Sequence, residues 1–172
     1  LVLVCAGAGG HAGTLSPFAL VSEIKQFFDG PIALSGSIAN GAAILSAQAL
    51  GADFAYIGTR FIASKEANAE QAYKTMLVES SAKDIVYSSL FTGVHGNYLK
   101  PSITNAGLDP DDLEQGDKNK MKFGSEGGSK TKAWKDIWGA GQGLGSIADV
   151  TDVAKIVARF KTEYDLALSR LN

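Results

Sequence analysis

The chain has 172 residues, of which 16 are Lys or Arg and 18 are Asp or Glu, and its formal net charge is −2. Nucleic acids and anionic membrane surfaces attract clustered cations, so this charge balance argues against both as partners. The hydrophobic fraction of 45% and the 20 glycines exclude a disordered or collagen-like chain and are typical of an ordinary α/β protein.

Residues 1–64 alternate short apolar runs with helical patterns. The runs at residues 1–6, 32–35 and 54–57 predict three strands, each followed by a turn that contains glycine. Ser16 and Pro17 predict the start of a helix between the first two strands, and residues 42–50 predict a second helix. This order is the βαβ rhythm of a parallel sheet covered by helices.

The β/α rhythm stops after Arg60, which divides the chain into residues 1–64 and residues 65–172. The pattern predicts a helix over residues 66–80, followed by no clear strand. Residues 92–148 hold many of the glycines, and the lysine-rich stretch within them, from residue 118 to residue 135, is expected to form a solvated loop. A last helix over residues 151–171 is expected to pack on the rest of the protein through one apolar face, formed by Val153, Ile156, Val157, Phe160, Tyr164, Leu168 and Leu171.

The first turn contains Gly7, Gly9 and Ala12 at the G-x-G-x-x-A spacing of a dinucleotide-binding loop. That fold needs a helix that opens inside the motif and an acidic residue at the end of the next strand. Here the helix begins only at Pro17, and Asp29 precedes the second strand. The context therefore argues against a dinucleotide-binding fold.

The second and third turns follow consecutive strands and contain Gly36 with Ser37, and Gly58 with Thr59. Glycines let backbone N–H groups approach a phosphate, and neighbouring strand ends aim two such turns at one dianion, as in the last two strands of a (β/α)8 barrel. The alternative is that both are simply tight turns. Arg60 would either balance phosphate charge or form a structural ion pair.

His11 is the candidate for proton chemistry, because it lies among glycines and alanines at the end of a strand and imidazole exchanges protons near neutral pH. His95, flanked by Gly93 and Gly96, is a second candidate, with a turn-stabilising role as its alternative. Two distant histidines and no cluster of ligand residues predict no metal site. Cys5, the single cysteine, predicts a buried thiol in a reducing compartment.

In sequence order these motifs resemble those of the nitronate monooxygenase family, formerly called 2-nitropropane dioxygenases. The matching segments are residues 8–13 (AGGHAG), 35–41 (SGSIANG), 49–53 (ALGAD), 57–61 (IGTRF) and, more weakly, 138–145 (WGAGQGLG). The resemblance implies the C-terminal part of an FMN-dependent (β/α)8 TIM barrel, with about three parallel strands and a helical and loop extension. It also implies that a missing N-terminal barrel half is supplied by another chain or segment.

By this resemblance His11 is the catalytic base for a nitroalkane or orients a nitronate, and Gly9, Gly10, Gly36, Ser37, Gly58 and Thr59 bind FMN. The implied reaction oxidises alkyl nitronates with O2 to a carbonyl compound and nitrite. Ser37 stands where the family usually has glycine, which requires Ser37 to adopt glycine-like backbone angles.

Two further classes remain open. One comprises related barrels that oxidise NAD(P)H, either quinone reductases or enoyl-thioester reductases. The other is a non-catalytic module that binds a phosphate ligand. Residues 92–142 are a candidate lid over the flavin, with His95, Tyr98 and Trp138 as its contacts. A cytoplasmic location is expected, since no apolar stretch reaches the ~20 residues of a membrane span and no signal-peptide pattern is present.

Overall fold

Two small sheets and six helices organise the part of the chain that this computed structural model describes, residues 1–113 and 136–171. The strands are β1 (Val2–Val4), β2 (Gly10–His11), β3 (Ala33–Ser35), β4 (Phe54–Tyr56), β5 (Ile85–Ser88) and β6 (Gly96–Leu99). The helices are α1 (Pro17–Ile24), α2 (Gly41–Ala49), α3 (Thr59–Ile62), α4 (Gln71–Glu79), α5 (Lys100–Asn105) and α6 (Val153–Leu168). Short 3-10 helices cover Ala82–Asp84 and Gln142–Ser146.

The first sheet is parallel and has the strand order β1–β3–β4, as the β/α rhythm predicts. Each strand is shorter than its apolar run. Ser16 caps α1, where its Oγ accepts the backbone N–H of Ala19 at 3.3 Å, and Asn40 caps α2 in the same way through Ala43. A core beneath α1 and α2 contains Leu3, Cys5, Val21, Ile32, Leu34, Ala47 and Ala52.

No element of the described ranges covers the opposite face of this sheet. The register aligns Val2 with Ala33 and Phe54, and it aligns Val4 with Ser35 and Tyr56. Because side chains alternate between the two faces of a strand, these residues point away from α1 and α2. Val2, Val4, Phe54 and Tyr56 are 55%, 40%, 64% and 59% exposed. Parallel sheets are normally buried on both faces, so this apolar face is unusual.

A second, antiparallel sheet with the order β2–β6–β5 corrects the expectation of no strand after Arg60. β6 lies within residues 92–142, the loop offered as a candidate lid, yet all four of its residues are buried. Gly96 pairs with His11, and Asn97 pairs with Gly10. The sequence hides this strand because Gly and Asn have low strand propensity. Its partners are the nearby β5 and, more than 80 positions away, β2.

α6 packs against α2, which confirms that the last helix docks on the protein. A Cβ atom at Gly41 would lie 2.2 Å from the carbonyl oxygen of Phe160, so the two helices approach at backbone distance. The predicted apolar face is only partly buried. Ile156 and Phe160 are covered, whereas the side chains of Val157, Leu168 and Leu171 are exposed.

The predicted lysine-rich loop lies mostly outside the described residues, including Trp134 and the lysines at positions 118, 120, 122, 130, 132 and 135. Within the described ranges, no helix is both long and apolar enough to cross a membrane.

Candidate functional site

The glycine-rich loop after β1 holds the site together through one carbonyl group. The Gly7 oxygen accepts the backbone N–H of Ser37 at 3.2 Å and the backbone N–H of Gln142 at 2.9 Å. Gly7 and Gly10 have φ values of +84° and +69°, which L-residues rarely adopt. The loop therefore joins the second turn to the segment of residues 138–145, and it does so without opening a helix.

Glycines of residues 138–145 let this segment pack backbone to backbone against the first two turns. A Cβ atom at Gly141 would lie 2.8 Å from the Gly7 oxygen, and one at Gly143 would lie 2.6 Å from the Ser37 oxygen. A Cβ atom at Gly9 would in turn lie 2.7 Å from the Gly141 nitrogen. From the sequence, residues 138–145 are known only as a weak resemblance to a family motif. The structure shows that their glycines allow close packing.

Ser37 adopts the glycine-like backbone that its position requires, with a φ of +56°. Its N–H donates to Gly7 and is not directed to a ligand. In contrast, the N–H groups of Gly58 and Thr59 have no hydrogen-bond partner within the described ranges, whereas the Gly36 N–H faces the Tyr56 oxygen across the β3–β4 pairing. Two of the four backbone N–H groups in the predicted phosphate turns, those of Gly58 and Thr59, thus have no partner among the described residues.

The predicted cofactor residues lie mostly around one depression at the ends of β3 and β4. Gly9, Gly36, Ser37, Gly58 and Thr59 line it, together with Gly7, Ala8, Ser35, Ile38, Ala39, Tyr56, Gly141 and Gly143. The hydroxyl oxygen of Thr59 accepts the Gly141 N–H at 2.9 Å, which leaves its proton free to donate. Gly10 does not line the depression, but no atom lies within 4 Å of where its Cβ would be.

His11 ends β2 and exposes its side chain to solvent. Its ring nitrogen Nε2 lies 2.8 Å from Oγ1 of Thr92, and no partner for Nδ1 is present among residues 1–113 and 136–171. Two hydrogen bonds hold the loop beside it: the Ala12 N–H donates to the His95 backbone oxygen at 3.2 Å, and the buried Asn97 side-chain Nδ2 donates to the Ala8 backbone oxygen at 2.7 Å. The imidazole is therefore anchored on one side and open on the other.

Arg60 forms a structural ion pair, one of the two roles that the sequence allows. Its guanidinium is buried and donates to the backbone oxygens of Ala63 and Asp149 and to the Asp149 carboxylate, each at 3.0 Å. Hydrogen bonds from Arg159 are the main cause that lowers the pKa of Asp149. This cluster fixes α3, which follows the third turn.

Two other motif residues are also structural. The Asp53 carboxylate accepts the Ile32 N–H at 2.9 Å, which fixes the start of β3 beside the start of β4. The Gly41 N–H donates to the Glu163 carboxylate at 2.8 Å, which ties α2 to α6.

The three proposed lid contacts have structural positions. His95 stacks on Tyr87 with ring centroids 5.0 Å apart, Tyr98 is buried against Phe91, and Trp138 stacks on Tyr73 at 4.9 Å. Burial raises the pKa of Tyr73 to about 12, and its hydroxyl donates to the Gly139 oxygen. The structure thus favours a turn-stabilising role for His95 and does not offer Tyr98 as part of a lid.

No group of three potential metal ligands occurs among the residues that the structure describes.

Comparison with known proteins identifies the family. The family model described as nitronate monooxygenase matches residues 1–160. The chain belongs to the nitronate monooxygenase family. The resemblance seen in the sequence is therefore confirmed.

Members of the nitronate monooxygenase family from bacteria are similar to parts of this chain. A nitronate monooxygenase of Paraburkholderia phytofirmans is 31% identical over 112 residues, which cover 60% of this chain and 31% of the relative. A probable nitronate monooxygenase of Staphylococcus saprophyticus is 31% identical over 97 residues, covering 50% and 27%. The chain thus spans about a third or less of the length of these relatives.

Solved structures share the fold of this nitronate monooxygenase family member. FabK from Thermotoga maritima superposes with a TM-score of 0.74 at 23% identity, over 99% of this chain and 55% of FabK. A nitroalkane oxidase from Streptomyces ansochromogenes superposes with a TM-score of 0.70 at 20% identity, over 99% and 53%. The chain matches about half of each structure, and its α/β fold with a parallel sheet agrees with the expected fold class.

Proposed function

We propose that this chain is the FMN-binding and proton-handling part of a flavoenzyme that oxidises alkyl nitronates with O2 to a carbonyl compound and nitrite. The family match over residues 1–160 is the observation that carries this proposal. In the proposal, residues 1–64 supply the last three β/α units of a (β/α)8 barrel, and residues 65–172 pack on them.

The second and third turns fit the phosphate of FMN. Gly36, Gly58 and Thr59 line one depression, and the unpartnered N–H groups of Gly58 and Thr59 and the Thr59 hydroxyl would donate to the phosphate there. Backbone N–H groups at neighbouring strand ends bind a dianion without a cationic side chain. Binding by backbone groups is needed here because the Arg60 guanidinium already forms an ion pair with Asp149. Gly9 and Gly10 would bring the loop backbone close to the flavin.

The bound flavin would accept electrons from the nitronate and pass them to O2. The protein would position the substrate, exclude water from it and remove its α-proton. His11 would take the α-proton of a neutral nitroalkane. Its exposed imidazole is held by Thr92 on one side and by the β2–β6 pairing through its backbone. A positioned base of this kind contributes a rate factor of about 10²–10⁴.

The uncovered face of the parallel sheet supports a further part of the proposal, which is that an N-terminal barrel half completes the enzyme. That face presents Val2, Val4, Phe54 and Tyr56 to solvent. The solved structures that share the fold are about twice as long as this chain. The remaining strands of the barrel, from another chain or segment, would cover these residues.

The test compares a neutral nitroalkane with its preformed nitronate. The holoprotein and its His11→Asn variant are mixed in air with nitroethane or with ethyl nitronate, and nitrite is measured. Because ethyl nitronate has already lost its α-proton, His11→Asn should reduce turnover of nitroethane by about 10²–10⁴-fold and should affect ethyl nitronate much less. Equal FMN content of the two proteins, measured after release by heat, is the control.

Other outcomes would support the remaining classes. Unchanged nitroethane turnover with intact FMN would remove His11 from the chemistry. Rapid anaerobic bleaching of the flavin by NADH, with no nitrite released from nitronate, would indicate an NAD(P)H-oxidising enzyme. A protein that binds inorganic phosphate at these turns but no flavin would indicate a non-catalytic binding module.

A further inference from the structure

Thr92 makes a complete set of hydrogen bonds around His11. Its Oγ1 lies 3.0 Å from the Val94 carbonyl oxygen, 3.3 Å from the Val94 backbone nitrogen and 2.8 Å from His11 Nε2. A hydroxyl group has one proton to donate and two lone pairs that accept. Three neighbours therefore use its full capacity.

The identities of these neighbours decide which way each proton points. The Val94 carbonyl can only accept, so it takes the Thr92 hydroxyl proton, and the Val94 N–H can only donate. One lone pair of Oγ1 then remains for His11, which means that Nε2 must carry a proton. The opposite arrangement would aim the Thr92 hydroxyl at Nε2 and would leave two oxygens facing each other without a proton between them.

We infer that Thr92 is a positioning residue that holds neutral His11 as its Nε2–H tautomer and leaves Nδ1 as the proton-accepting atom. The hydrogen bond of one ring nitrogen sets the role of the other. Nδ1 has no partner within the described ranges, and the side chain is exposed, so this atom is open to substrate. The inference rests on the proposed function only for the substrate, a nitroalkane, from which His11 takes the proton.

In the proposed step, one proton moves from the nitroalkane to His11. The C–H bond α to the nitro group breaks, its electron pair forms the C=N bond of the nitronate, and the proton binds Nδ1. His11 becomes an imidazolium whose Nε2–H still donates to Thr92. Because Thr92 accepts from both the neutral and the charged ring, the hydrogen bond persists through the step.

The experiment is NMR of the substrate-free holoprotein with ¹⁵N-labelled histidine, at an alkaline pH where imidazole is neutral. The chain has two histidines, and the His11→Asn spectrum assigns them. Wild type should show His11 as the Nε2–H form. Thr92→Val should increase the Nδ1–H form several-fold. Thr92→Ser, which keeps the hydroxyl, should behave as wild type, and the His95 signal should report an intact fold.

Activity gives a second readout. Thr92→Val should reduce kcat/KM for nitroethane by about tenfold, a part of the ~10²–10⁴-fold that a base contributes, and Thr92→Ser should restore it. A wild-type His11 in the Nδ1–H form, or an unchanged tautomer in Thr92→Val, would overturn the inference. Because the NMR signature needs no substrate, it holds or fails independently of nitronate oxidation.

Discussion

Ser37 carries the most unusual backbone of any non-glycine residue in the described part of the chain, since its φ is +56°. Left-handed backbone costs an L-residue about 1–2 kcal/mol, which glycine avoids. The turn enforces this conformation because the Ser37 N–H donates to the Gly7 oxygen. The preceding Gly36 has a φ of +135°, and a Cβ atom there would lie 2.4 Å from Sγ of Cys5. Sequence alone predicts a glycine-like turn here, but it cannot show that the Ser37 N–H is already used.

Ser37→Gly should therefore keep or raise stability, by about 0 to 1 kcal/mol, since relief of strain offsets the greater entropy of the unfolded glycine. Urea unfolding of the holoprotein measures the effect. The matched control is Ser46→Gly in the middle of α2, where the same change should cost about 0.5 kcal/mol through helix propensity. If Ser37→Gly destabilises as much as Ser46→Gly, backbone strain at residue 37 is not significant.

At the scale of secondary-structure elements, the contact between α2 and α6 depends on Gly41. A Cβ atom there would lie 2.2 Å from the Phe160 oxygen and 2.3 Å from the Tyr164 nitrogen, both of which are backbone atoms that cannot rotate away. The Gly41 N–H also binds Glu163. Close approach, rather than ligand binding, thus explains why the second turn ends in glycine.

Gly41→Ala should destabilise the protein by about 1–3 kcal/mol, because the added methyl group must push two helix backbones apart. Thermal unfolding, together with the far-UV circular dichroism of the folded state, measures this effect. Gly145→Ala is the control, since no atom lies within 4 Å of its would-be Cβ, and it should change stability by less than about 0.5 kcal/mol. Similar losses in both variants would contradict the close-approach argument.

The elements that sequence predicts are those with local signals. The helix α1 begins where Ser16 and Pro17 place it, and the three parallel strands follow their apolar runs. Both β5 and β6 are missed, although residues 85–87 of β5 are the β-branched and aromatic types common in strands. β6 lacks that signal at Gly96 and Asn97, which pair with the distant His11 loop. The Arg60 ion pair likewise depends on Asp149, which is 89 residues away. The sequence can therefore predict that Arg60 forms an ion pair, but it cannot predict the partner or the geometry.

At the scale of the whole molecule, helices cover the first sheet on one face only within the described ranges. Its helices cover Leu3 and Leu34, while aligned side chains on the other face remain in water. Burying an exposed aromatic or branched side chain contributes roughly 1.5–3 kcal/mol, so covering this face would stabilise the protein substantially. Among the described residues, β1 and β4 are also the edges of this sheet, and their outer backbone groups would pair with the proposed further strands.

Co-expression with the N-terminal five-strand portion of a family relative tests whether that portion covers this face. The wild-type chain should co-purify with it and retain FMN, whereas Phe54→Lys should abolish both, because an unpaired ammonium group would be buried between the two parts. Phe27→Lys is the matched control, since Phe27 is 75% exposed just beyond the end of α1, and it should behave as wild type. Equal co-purification of Phe54→Lys and Phe27→Lys would place the partner elsewhere, whereas loss with both variants would point to nonspecific association through any exposed aromatic ring.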